Sequence, residues 1–324
     1  MRQELIEATI SNRVAVIMIK RPDKANSLPR HAKAELALAI EKSASDPDVN
    51  ATVITGHGSR AFCAGSDIHE MRHFSMVQMD EMLAAERKMY LAALTSPKPV
   101  VAAVNGFALG AGLILAMTCD YTLAVPRAEF GAPELTIGVA APLEGLLLPY
   151  LVGLGRARAM FYTGARIDAQ AALSIGLINE IVEPENLLDR ARAIAESMSG
   201  LPANGFAIQK HLLHRLVSTG NLTAVIEESH HLTSRQFASE GVGEAMDRFL
   251  SRKNPLPQAD PSQALLFGLL GRSAGRLPAD EQDWLRQEAE EVAVRSATLN
   301  GQSSWRPNQS HRGGPGGGHM GPRE

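Results

Sequence analysis

Two stretches of this chain are built almost entirely from small residues, of the kind that let backbone approach a ligand closely. One is Ala61-Phe62-Cys63-Ala64-Gly65-Ser66-Asp67 and the other is Asn105-Gly106-Phe107-Ala108-Leu109-Gly110-Ala111-Gly112. The second follows an apolar run and opens a predicted helix. The first N–H groups of a helix lack intrahelical acceptors and carry partial positive charge, which suits an oxygen that becomes anionic during a reaction. Glycine and alanine leave such N–H groups uncovered. The structural alternative is that small residues here only permit tight strand–helix packing.

Other patterns carry less. Gly56-His57-Gly58-Ser59-Arg60-Ala61 fits G-x-G-x-x-A after a strand, but Phe62-Cys63-Ala64-Gly65-Ser66 follows where a dinucleotide site needs a helix, so it reads as a turn. His69-Glu70-Met71-Arg72-His73 fits H-E-x-x-H, which on a helix would put two imidazoles on one face for zinc. The longer metzincin form fails at Met76, and no histidine follows until His211, although Glu86 could complete a ligand set. We read this segment as an exposed helix start and expect no metal. Cys63 has no histidine signature for a thiolate nucleophile and reads as a packing residue. Asp120 reads as structural, and His230 and His231 as solvated.

The chain of 324 residues is long enough for a substantial core. A net charge of −3 without extended Lys/Arg runs argues against nucleic acid or a membrane surface as partner. Two cysteines suit a reducing compartment. The N-terminal MRQELIEATISNR has no apolar signal region, and the longest apolar stretch, Val100 to Met117, is interrupted by Asn105 and three glycines. The cytoplasm is the expected location.

Elements to position the loops are legible around them. Strands are predicted at Val14 to Ile19, Ala51 to Thr55, Pro99 to Val104 and Tyr121 to Val125, and helices at Pro29 to Ser43, Val77 to Leu94 and Gly112 to Thr118. Their alternation implies an α/β fold. Asp168 is placed as the N-cap of a helix stopping at Gly176, before a strand from Ile178 to Val182 and a helix from Pro184 to Gly200. Helices at Asn204 to Ser218, Leu222 to Ala238 and Glu244 to Ser251 make the next part helical. Residues 1–200 are thus an α/β core, 201–254 a helical segment, 255–300 an appendage with a possible helix at Glu281 to Val294, and 301–324 a disordered tail.

AFCAGSDI and KPVVAAVNGFALGAGLILAMTCD, followed by AEFGAPE and FYTGARIDAQAALSIGLINEIV, resemble the crotonase (enoyl-CoA hydratase/isomerase) superfamily over roughly residues 5 to 254. The resemblance implies a spiral of β-β-α units with a C-terminal helical trimerisation segment, and a homotrimer or hexamer. It implies an acyl-CoA substrate, with coenzyme A arriving as part of the substrate and no separate cofactor. Ser66 and Ala111 match the positions whose N–H groups hold the thioester oxygen, with Gly110 beside them. Ala64, Asp67 and Ile68 match the stretch lining the CoA adenine pocket, with Lys24, Ala25 and Ser27 opposite. Arg252 and Lys253 match the basic end of the last helix, which reaches a neighbour's CoA phosphates.

Two departures bear on the reaction. Hydratases of the family carry one glutamate after the second glycine loop and another in F-G-x-P-E. Glu134 matches the second, but Ile114 stands at the first and cannot move a proton. One carboxylate suffices to shuttle a proton between two carbons. Where hydratases read I-P-G-x-G-G, this chain has Val139-Ala140-Ala141-Pro142-Leu143-Glu144-Gly145. Glu144 in the first turn of a helix either complements its dipole or replaces the missing carboxylate. The resemblance implies an enzyme forming a thioester enolate for isomerisation or hydration of an enoyl-CoA. The alternatives are another crotonase-type reaction, such as decarboxylation or thioester or C–C hydrolysis, and a non-catalytic acyl-CoA-binding protein.

Overall fold

A computed structural model of the chain describes residues 4–140, 144–237 and 242–251. It begins with a hairpin: β1 (Ile6–Ser11) runs antiparallel to β2 (Val14–Ile19), with Ser11 opposite Val14. The connecting Asn12 and Arg13 have φ of 50° and 62°, the positive values that a two-residue hairpin turn demands. β1 is an exposed edge strand, and its sequence IEATIS lacks the apolar run that marks β2. α1 (Arg30–Ser45) then buries Ala32, Leu36, Ala37 and Ile40, spaced three and four apart, before β3 (Ala51–Gly56) pairs parallel to β2. Pro47 disfavours helical backbone at Asp46, whose ψ is 120°, and the helix stops there.

From β3 onward one unit repeats. β3 is followed by β4 (Ala61–Cys63), then α2 (Ile68–Met71) and α3 (Met76–Leu94). β5 (Val100–Val104) is followed by β6 (Phe107–Leu109) and α4 (Ala111–Met117). β7 (Tyr121–Ala124) is followed by β8 (Glu129–Gly131), α5 (Glu144–Val152) and α6 (Leu154–Thr163). The first strand of each unit joins one sheet and the second joins another, so the chain advances as a β-β-α spiral. β9 (Arg166–Asp168), α7 (Ala169–Ser174) and β10 (Glu180–Ile181) complete the sheets, in the orders β1-β2-β3-β5-β7-β10 and β4-β6-β8-β9. β10 is shorter than the strand expected at Ile178 to Val182, because only two residues pair with β7.

Parallel pairing of β4 with β6, and of β6 with β8, brings the segments that follow these strands to one end of the second sheet. The first small-residue stretch therefore holds a three-residue strand and then a loop, the second a three-residue strand and then Gly110 and the start of α4, and the two junctions are neighbours. α7 is capped as expected, with Asp168 Oδ1 accepting the Ala171 N–H at 2.7 Å.

α8 (Leu187–Ser199) lays Leu187, Ala191 and Ala195 against the core, and α9 (Ala203–Thr219), α10 (Leu222–Phe237) and α11 (Val242–Leu250) follow. One buried ion pair anchors α9. Lys210 Nζ donates to Asp120 Oδ2 at 2.7 Å and to Ala93 O at 2.9 Å, while Asp120 Oδ2 also accepts the Val100 N–H at 2.8 Å. Asp120 is thus a structural residue. Lys210→Met strands its carboxylate, and removing one partner of a buried pair costs about 3–5 kcal/mol. Urea unfolding should show that loss in the midpoint, and an unchanged midpoint would contradict it.

Arg252, Lys253 and the predicted helix and tail beyond 255 lie outside the described residues, as does Pro142. Among the described residues no helix is long and apolar enough to cross a membrane.

Candidate active site

A cavity of about 510 Å³ opens where the two loops meet, within the size range of small-molecule sites. Ala64, Gly65 and Ser66 border it from the first loop, and Gly110 and Ala111 from the second. Ile68, Met71, Met79, Met82 and Leu83 form an apolar wall from α2 and α3. Pro133, Glu134, Thr136, Ile137, Val139 and Ala140 close the opposite side. Glu86 and Glu134 are the only ionisable side chains among these lining residues.

The backbone explains why the loops present N–H groups. Leu28 forms a parallel bridge to Ser66, in which the Leu28 N–H donates to Gly65 O and the Asp67 N–H to Leu28 O. That pattern turns Ser66's own N–H away from Leu28, and it has no hydrogen-bond acceptor among the described residues. Ala111 is the first residue of α4, so its N–H has no intrahelical acceptor either. The loops touch at Gly65, which has φ of 96°. A Cβ there would lie 2.9 Å from Leu109 O and 3.4 Å from Ala111 N. Gly110 has φ of 53°, and its Cα faces a carboxylate: a Cβ would lie 2.5 Å from Glu134 Oε1.

Glu134 opens a short 3-10 turn after β8, Glu134–Ile137. Its Oε2 is buried and has no hydrogen-bond partner among the described residues. Most buried polar side-chain atoms are partnered, and each exception calls for an explanation, a catalytic role among them. Ile114, in contrast, packs into the core at 1% exposure and does not border the cavity. Glu144 begins α5 in backbone terms, while its side chain lies outside the described residues.

The segments read as the adenine pocket come together. Lys24 ends a 3-10 turn, Ala25 follows in left-handed conformation at φ of 50°, and Ala25 O accepts the Ala64 N–H at 3.0 Å. Ser27 Oγ is held by Arg21 at 3.1 Å. Ala64 and Ile68 border the cavity, whereas Lys24, Ala25 and Ser27 stand behind it. The Asp67 carboxylate is turned inward: it pairs with Arg21 at 2.7 Å and caps α2 by accepting the His69 and Glu70 N–H groups.

Burial alone would raise the Asp67 pKa. Arg21 and the two N–H groups outweigh burial and hold it below its ordinary value of 3.8. A depressed carboxylate pKa favours the folded state fully above the ordinary value, and that contribution is lost as pH falls through the folded value. Denaturation midpoints of the wild type should therefore fall more steeply below about pH 4 than those of Asp67→Asn. Parallel curves would exclude this pair as a source of acid sensitivity.

The H-E-x-x-H segment does not form a two-histidine helix face. α2 ends at Met71, before His73, which accepts from Arg72 Nε at 2.9 Å, and Glu70 Oε2 accepts the Arg30 N–H at 3.0 Å. No three His, Cys, Asp or Glu residues cluster as metal ligands among the described residues. Cys63 is fully buried, and burial pushes its thiol up to about 12, in line with a packing role. His230 and His231 are exposed on α10.

One group was not foreseen. Glu86 reaches the cavity from α3 and pairs closely with Lys33 of α1, which is fully buried. Lys33 Nζ also donates to Ser66 Oγ at 2.6 Å, and Ser66 Oγ donates to Glu86 Oε2 at 3.2 Å. The Tyr90 hydroxyl lies 3.0 Å from Glu86 Oε1 and 3.2 Å from Ala111 O. The one sign in the sequence is Lys33 itself, a charge beside Ala32, Leu36, Ala37 and Ile40 on the buried face of α1.

The family model for enoyl-CoA hydratase/isomerase matches residues 9–258. The chain is 34% identical over 242 residues to a short-chain-enoyl-CoA hydratase of Clostridium acetobutylicum, covering 74% of this chain and 92% of that one. It is 36% identical over 240 residues to a crotonyl-CoA hydratase of Syntrophomonas wolfei, covering 74% and 83%. A crystal structure of an enoyl-CoA hydratase from Bacillus anthracis superposes with a TM-score of 0.72 at 27% identity, covering 79% of this chain and 100% of that one.

Proposed function

The chain belongs to the enoyl-CoA hydratase/isomerase family, and from that premise we propose that it isomerises an enoyl-CoA through a thioester enolate. The thioester oxygen binds between the Ser66 and Ala111 N–H groups, and the acyl group lies along the apolar wall. Glu134 takes a proton from the α-carbon, and the charge moves onto the oxygen held by the two N–H groups. The double bond shifts from the β,γ to the α,β position as the same carboxyl returns the proton to the γ-carbon. The observation that carries this reading is Glu134 Oε2, buried and unpartnered among the described residues, on the cavity that both N–H-bearing residues border. A single carboxylate can both remove and return a proton.

Hydration is the second reading, favoured by the hydratase names of the relatives. It adds a water hydroxyl at the β-carbon and a proton at the α-carbon, and Glu144 is the candidate for the second carboxylate.

Coenzyme A enters as part of the substrate, with no metal or redox cofactor. Its adenine end lies toward Ala64 and Ile68, with Lys24, Ala25 and Ser27 behind and Asp67 holding the loop through Arg21. Assembly into a homotrimer or hexamer would cover apolar side chains on the last helices, such as Leu213, Ile226 and Phe237, which are 56%, 59% and 61% exposed.

Mass spectrometry and chromatography of the protein incubated with 2-enoyl- and 3-enoyl-CoA esters test the proposal. Interconversion of the two isomers is the expected result, and gain of one water would select hydration. Tight binding of every ester with no conversion would contradict both.

A further inference from the structure

We infer that Glu86 is a positioning residue that fixes the two cavity N–H donors relative to each other. The inference rests on the reading of Ser66 and Ala111 as donors to the thioester oxygen. Those residues lie on separate loops, 45 positions apart by number (111 − 66), and the catalytic value of two donors depends on their pre-set geometry. Glu86 lies between them. Its Oε2 accepts from Ser66 Oγ at 3.2 Å, and its Oε1 lies 3.0 Å from the Tyr90 hydroxyl, which is itself 3.2 Å from Ala111 O. The Tyr90 hydroxyl has one proton to share between Glu86 Oε1 and Ala111 O, so the carboxylate meets the side chain of one donor residue directly and the carbonyl of the other through this shared contact.

Lys33 makes the link rigid. Its ammonium is fully buried, pairs with Glu86 Oε2 and donates to Ser66 Oγ at 2.6 Å. The pair also joins α1 to α3, so the link is anchored in two helices rather than in the loops it controls.

The same contacts argue against Glu86 as a second proton carrier. A carboxylate offers about four acceptor sites, and three are engaged, one by an ammonium. With those sites held by protein partners, little of the carboxylate is left to accept a proton from substrate. It also does not restore the carboxylate missing at Ile114, which points into the core.

Tyr90→Phe is the decisive variant, because it removes one hydroxyl and leaves the Lys33–Glu86 pair and the buried ring in place. We expect kcat to fall about tenfold, the effect of one hydrogen bond made more strongly in the transition state, with KM within about twofold of wild type. The second readout is infrared absorption of bound butanoyl-CoA labelled at the carbonyl carbon. In wild type the thioester stretch should shift to lower frequency than in solution, and in Tyr90→Phe the shift should shrink. Glu86→Gln should have the larger effect on both readouts, and the double variant should be no worse than Glu86→Gln alone.

A Tyr90→Phe protein with wild-type kcat and the full carbonyl shift would overturn the inference and leave the donors' role intact. A bound wild-type carbonyl that absorbs as it does in solution would overturn the donor reading, and this inference with it.

Discussion

Replacing Glu134 with glutamine is expected to lower kcat by about 10²–10⁴-fold, the usual contribution of a positioned acid–base group. KM should change little, since the acyl and CoA contacts come from other residues. Stability should be equal to or above that of wild type. Among the described residues Glu134 Oε2 is buried without a hydrogen-bond partner, and a charge in such a place opposes folding. The neutral amide has nearly the same shape and removes that cost. Loss of activity with no loss of stability is the signature of a group kept for chemistry rather than for the fold. Steady-state kinetics and a thermal melt on the same sample decide it. A variant that turns over at the wild-type rate would remove Glu134 from the reaction, and a destabilised one would show that its carboxylate has a structural partner.

Gly110→Ala should cost at least about 10²–10³-fold in kcat, the loss typical of one disabled oxyanion donor. Two effects coincide at this position. The backbone has φ of 53° and ψ of −123°, a combination that side-chain-bearing residues avoid. A Cβ would also come within 2.5 Å of Glu134 Oε1. Either the carboxylate moves from the cavity, or the loop moves and takes the Ala111 N–H with it. Gly220→Ala is the control, because Gly220 has φ of 59° but nothing among the described residues within 4 Å of a new Cβ. It should lose about 1–2 kcal/mol of stability through left-handed strain and keep its activity. Equal kinetic effects at the two positions would mean that strain, not the site, is being measured.

What could be read from the sequence follows the size of the signal each element leaves. β2, β3, β5 and β7 are runs of four to six residues with mostly buried apolar side chains, and the sequence places all four. The strands of the second sheet, Ala61–Cys63, Phe107–Leu109, Glu129–Gly131 and Arg166–Asp168, have three residues each. Three residues show no alternation, and two of these strands lie inside the small-residue stretches that read as loops. Edge strand β1 was missed for the opposite reason, since its residues after Ile6 are exposed. The start of α5 was legible, since Glu144 reads as part of a first helical turn and α5 begins there, but the apolar run that follows contains Pro149 and shows no helical stripe from which its length could be read.

The site divides in the same way. The glycine loops and Glu134 are contiguous motifs and could be found by resemblance. The Lys33–Glu86–Tyr90 group comes from two helices, with its ion pair spanning 53 positions, and no local pattern announces it. Asp67 shows the limit of transferring a position without its contacts: the carboxylate is committed to Arg21 and the α2 cap. H-E-x-x-H fails for a geometric reason that a five-residue match cannot contain, because the helix ends before its second histidine.

Formation of the enolate is the central claim, and solvent deuterium at the α-carbon reports it whichever product follows. Wild type and Glu134→Gln would be incubated in heavy water with saturated and unsaturated acyl-CoA esters, and the esters recovered for mass spectrometry. Wild type should introduce deuterium at the α-carbon of at least one ester, and Glu134→Gln should introduce about 10²–10⁴-fold less in the same time. Equal labelling by both proteins, or none by wild type with any ester that it binds, would contradict the assignment.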